Sequence, residues 1–84
     1  MSVVFRLKGN VKQERVQAIL AAIEEAGLTP RPAFPSASRG RLASVYLVRE
    51  GGEAELERVK GLIESVAPGA LEYIEVPPPR HRYA

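Results

Sequence analysis

Three prolines within eight residues limit what this chain can fold into. The stretch LTPRPAFP, residues 28–35, carries Pro30, Pro32 and Pro35. Each lacks a backbone N–H and fixes φ near the extended and turn regions. An interior strand must donate to neighbours on both sides, so this piece is an edge strand or a loop. Any sheet the chain builds must leave residues 28–35 at its margin.

The flanking segments supply that sheet. Val3, Phe5 and Leu7 alternate with Val4, Arg6 and Lys8, which is a strand with one buried face. Gly9 ends it. Asn10 stands where a helix cap is expected, with Gln13 three residues on in capping-box position. Val16, Ile19, Leu20, Ile23 and Ala26 follow helical spacing, and Gly27 is a left-handed terminator, so residues 11–26 read as a helix. After the proline segment and a polar connection, SASRGR, the run Leu42 to Arg49 is rich in strand formers and suits a central strand. Gly51 and Gly52 turn the chain into a second helix. Its first turns hold Glu53, Glu55 and Glu57, where the macrodipole favours negative charge. Its apolar stripe is Leu56, Val59, Leu62, Ile63 and Val66, and Pro68-Gly69 stop it. Leu71 to Val76 is a last strand, and Pro77 prevents its extension.

The order is strand, helix, strand, strand, helix, strand. Two βαβ halves of this length predict an α+β fold, the ferredoxin-like βαββαβ sandwich. Its four-stranded antiparallel sheet runs in the order 4-1-3-2, with two helices on one face. Strand two is then an edge, where the prolines are tolerated. Residues 1–76 form a single domain, and 77–84 form a proline-rich basic tail. Pro77, Pro78 and Pro79 favour polyproline II, which projects Arg80, His81, Arg82 and Tyr83 from the last strand.

Composition narrows the chemistry. The 84 residues include no cysteine, no aspartate and one histidine, so a conventional metal site lacks ligands. His81 sits in the tail with nothing to orient it, and no serine has a recognisable nucleophile motif around it. The turn from Arg49 to Glu53 has the glycines of a phosphate loop, but its glutamates repel phosphate and no Lys-Ser/Thr pair follows. The expectation is a protein that is not an enzyme and has no cofactor or metal. No segment has the length of a membrane span or a signal peptide, which points to a cytoplasmic protein. Arginine outnumbers lysine nine to three and all ten acids are glutamate, a composition that leans towards heat adaptation.

Charge is uneven along the chain. Residues 1–49 hold eight Lys/Arg against three Glu, and residues 50–76 hold two against seven. The net charge of +2 therefore hides a dipolar sequence that suits self-association or a charged partner. The basic residues form three groups: Arg6 and Lys8 on the first strand, Arg39 and Arg41 in the connection, and Arg80 and Arg82 in the tail. Arg6 and Lys8 are expected on the open sheet face, with Val4 and, according to register, Leu47 or Val48 and Ile74. Ferredoxin-like RNA binders stack bases on that face. Tyr46 is the candidate stacking platform, and Val4 occupies a position where an aromatic would be wanted.

Two family resemblances follow from these elements. AILAAIEEAGL resembles the first helix of ACT-like regulatory domains, and LEYIEV resembles their closing strand. The ligand loop of that family carries an Asp and a Gly after strand one. The equivalent KGNVKQ lacks the acid; what the resemblance implies is side-by-side dimerisation. VVFRLKG and ALEYIEVPPPRHRYA, at the two ends, resemble propeptide-like inhibitors of subtilisin-type proteases. That resemblance implies that the tail lies in a protease cleft.

The leading expectation is a small association domain, homodimeric through its open sheet face. Val4, Arg6, Lys8, Tyr46, Arg80, Arg82 and Tyr83 are its candidate contact residues. A dimer of this kind is expected to leave Arg6 and Lys8 near its rim. A separate protein partner is possible, a nucleic acid is possible but less favoured, and no membrane is involved.

Overall fold

The computed structural model describes residues 2–34, 44–49 and 52–76. The elements are β1 (Val3–Leu7), α1 (Gln13–Glu25), β2 (Pro30–Pro32), β3 (Val45–Val48), α2 (Glu53–Val66) and β4 (Leu71–Glu75). The strands form one four-stranded sheet in the order β2-β3-β1-β4, with every adjacent pair antiparallel. This is the order expected from the sequence, read from the opposite edge. The proline strand β2 is an edge, and Pro30 and Pro32 pair with Val48 and Tyr46 of β3 on its one inner side. Pro35, residues 36–43 and the tail from Pro77 lie outside the described residues.

One core holds these elements together. Val3, Phe5 and Leu7 of β1 are 0 to 1 % exposed and pack with Val48 of β3. Val16, Ile19 and Ile23 of α1, with Val59 and Ile63 of α2, complete the same cluster. Both helices therefore cover the face of the sheet that carries Val3, Phe5 and Leu7. The remaining stripe residues of α2, Leu56, Leu62 and Val66, are partly buried against this core.

The helix ends follow local chemistry, with one correction. Gly27 has φ of 90°. Its N–H bonds to Glu24 O at 3.0 Å and that of Leu28 bonds to Ile23 O at 3.2 Å, the two bonds of a Schellman stop. At the other end of α1, Asn10 does not cap the helix. Lys12 holds the cap position with extended backbone and no side-chain hydrogen bond. The N–H of Val11 bonds instead to Lys8 O, so the chain turns once more before the helix begins. At α2, Glu55 accepts a hydrogen bond from the N–H of Gly52 at 3.0 Å. Only this half of a capping box exists, because glycine has no side-chain oxygen.

The helices also cap each other. Neither has a basic residue in its last turn. Arg15, in the first turn of α1, donates to Val66 O at the end of α2 at 3.2 Å. Arg58 of α2 donates to Ala26 O at the end of α1 at 3.1 Å. Each guanidinium meets the negative end of the other helix and satisfies a carbonyl without an intrahelical partner.

Candidate functional site

The side of the sheet opposite the helices is built by strand register. Residues directly opposed in antiparallel strands share a face. Val4 lies between the core residues Val3 and Phe5, so it points away from the helices. Val4 pairs with Leu47 on one side and Glu75 on the other, and Leu47 pairs with Arg31. One row across this face therefore reads Arg31, Leu47, Val4, Glu75, from the β2 edge to the β4 edge. In the next row Arg6 stands between Val45 and Tyr73.

These rows settle the register that the sequence left open and differ from the sequence expectation at Ile74 and Tyr46. Leu47 is on the open face, whereas Val48 and Ile74 belong to the helix side. Tyr46 is not a platform on the open face. It opposes Phe5 and stacks on that ring beneath the helices, with centroids 5.5 Å apart and 25° between planes. Burial there pushes its hydroxyl pKa up. Arg6 is on the open face, as expected, in the interior strand β1. Lys8 follows β1 and is exposed, with its N–H bonded to Ala70 O at 2.8 Å.

Tyr73 is the aromatic of the open face, and sequence reasoning missed it. It is 42 % exposed, one of two large hydrophobic side chains so exposed among the described residues. The cause is an irregularity in the β1–β4 ladder. Arg6 opposes Tyr73, yet Leu7 opposes Leu71, so one residue of β4 is extra. Strict alternation would put Leu71 and Tyr73 on the same side. The bulge lets Leu71 and Ile74 both reach the core while Tyr73 faces out.

The open face is neither bare nor closed. Val4, Arg6 and Leu47 are half-buried, Glu75 and Arg31 are exposed, and Val45 is buried although it is not in the helix-side core. Arg6 Nε is buried without a hydrogen-bond partner, so its side chain lies against the sheet rather than extending into water. Near the β2 edge, Arg31 and Arg49 line a shallow depression with Ser2, Pro32 and Leu47. A second depression lies between the β1–α1 and α2–β4 connections and includes Lys12, Arg15 and Gly69.

No protein-family model, curated protein or solved structure matches this chain. Among the described residues no group of three or more His, Asp or Glu side chains could hold a metal ion. None of the described helices is long and apolar enough to cross a membrane. Arg80, Arg82 and Tyr83, the tail residues singled out from the sequence, lie outside the described residues, as does the inhibitory segment that the propeptide resemblance requires.

Proposed function

We propose that this chain is a ferredoxin-like domain that acts by association rather than catalysis, as a homodimer closed over its open sheet face. The observation that carries it is the row Arg31, Leu47, Val4, Glu75. Its two middle positions are apolar and half-buried in a single chain, and Tyr73 adds an exposed ring beside them. A partner that covers them removes apolar surface from water, worth about 25 cal/mol per Å².

The size of the face sets the expected strength. Four strands about 4.8 Å apart, the longest of five residues, span at most roughly 20 by 17 Å. This is small beside the roughly 800 Å² per partner of a stable complex, so the dimer is expected in the micromolar range. Sedimentation equilibrium across that range tests it directly. The mass should rise from one chain to two with concentration. Leu47→Glu should hold the protein at one chain with an unchanged circular-dichroism spectrum, because Leu47 lies outside the helix-side core. A single-chain mass at every concentration up to high micromolar contradicts the reading.

Nucleic-acid binding has one observation in its favour, the pairing of Arg6 with Tyr73 across β1 and β4. Base stacking on such a sheet uses aromatics on the central strands, and Tyr46 points to the helices. Salt-sensitive retention of single-stranded RNA, lost in Tyr73→Ala, would move this reading ahead of the dimer.

A further inference from the structure

The row through Val4 carries its charges at opposite edges of the open face, while Arg6 stands in the next row on the interior strand β1. Arg31 is on β2 at one margin and Glu75 is on β4 at the other, with Leu47 and Val4 between them in the same row. Three strand spacings put them about 14 Å apart in one chain, too far for an ion pair. Arg49 reinforces the basic side, where it lines the depression with Arg31 and Leu47. A row that is basic at one margin, apolar in the middle and acidic at the other is complementary to itself in only some orientations.

A two-fold dimer can close this face in two ways. An axis running across the strands lays β2 over β2, which sets Arg31 against its own copy and Glu75 against its own copy. An axis running along the strands lays β2 over β4. Glu75 of the second copy then meets Arg31 and the depression it shares with Arg49, and Leu47 meets Val4. The same contact occurs twice, because the interface is isologous. We propose that the occupant of the open face is a second copy of this chain, related by a two-fold axis along the strands and held in register by two Arg31–Glu75 pairs between chains. Side-by-side pairing at the β2 edges is disfavoured, since Pro30 and Pro32 offer no N–H there. This inference rests on the homodimer reading and specifies its geometry.

Charge exchange tests it. Arg31→Glu and Glu75→Arg each turn two attractive contacts into two repulsive ones. For rim-exposed pairs this should raise the dimer Kd roughly 30-fold. An equimolar mixture of the two single variants should recover wild-type affinity as a heterodimer, because every Glu then faces an Arg. The Arg31→Glu/Glu75→Arg double variant should recover it as a homodimer. Both positions are exposed, so all variants should keep the wild-type fold. If the wild type dimerises but neither the mixture nor the double variant recovers affinity, the orientation is wrong and the dimer reading survives. If Arg31→Glu instead pairs best with the wild type, the axis runs across the strands and the proposal is overturned. If the wild type itself stays monomeric, both the orientation and the homodimer reading fall.

Discussion

The two faces of the sheet use alternate residues of the same strand for opposite purposes. On β1, Val3, Phe5 and Leu7 are sealed under two helices, while Val4 and Arg6 between them are only half covered. On β3, Val48 and Tyr46 join the core side while Leu47 faces out. The covered face carries no buried charge among the described residues. The other face combines aliphatic side chains with Arg6, Arg31 and Glu75. A face that only had to be soluble would not need Leu47 and Val4 side by side at its centre. A face that only had to build stability would not place an arginine on an interior strand. The mixture is what the proposed dimer would cover.

Substitutions at neighbouring positions on β1 should separate the two faces most sharply. Phe5→Ala removes a ring that is fully buried and stacked on Tyr46. The expected loss is about 3–5 kcal/mol in denaturant unfolding, a large share of the roughly 5–15 kcal/mol available to a domain. Val4→Ala, one residue away, should cost the single chain less than about 1 kcal/mol and act instead on self-association. Equal losses at the two positions would mean that the faces are not distinct.

The reciprocal arginine caps predict a smaller effect. Arg15→Ala and Arg58→Ala each remove a cation from the end of the opposite helix, and both bonds are exposed. Each should lower stability by about 0.3–1 kcal/mol, falling further in high salt. The two contacts lie at opposite ends of the helix pair, so the double variant should show additive losses. These changes belong to the covered side and should leave self-association unaltered.

The smallest expected effect is a pH dependence at the start of α2. The N–H of Gly52 donating to Glu55, together with its own backbone N–H and the nearby Arg58 charge, holds the Glu55 carboxyl below its usual range. A depressed folded-state pKa contributes stability above the unfolded pKa, and that stability is lost as pH falls through the folded value. Glu55→Gln should therefore flatten the acid limb of the stability curve and change little near neutrality. An acid limb identical to wild type would remove Glu55 from the account.

Most of the fold was legible because each element had redundant signals. The proline segment could only be an edge strand or a loop, and Pro30–Pro32 form an edge strand. Gly27 marked the end of α1 through a left-handed backbone that suits glycine. The cap of α1 was misread because Asn10 and Gln13 have suitable chemistry, but an extra turn after Lys8 moves the helix start beyond Asn10. The open face was legible as a surface and only partly as a list of residues. Val4 and Arg6 followed from alternation within β1. Leu47 against Val48, and Tyr46 against Tyr73, depended on register and on the β1–β4 bulge, both set by pairing between distant segments. Alternation within one strand cannot reveal an extra residue in its neighbour.

The central claim is that the open face, and no other, meets a second copy of the chain. Methyl resonances followed during dilution of the isotopically labelled protein test it most directly. Val4, Leu47 and Val45 should shift together with a single micromolar midpoint, while Val59 and Ile63 beneath the helices stay fixed. Shifts confined to the helix-side methyls, or none at any of these positions up to high micromolar concentration, would contradict the account.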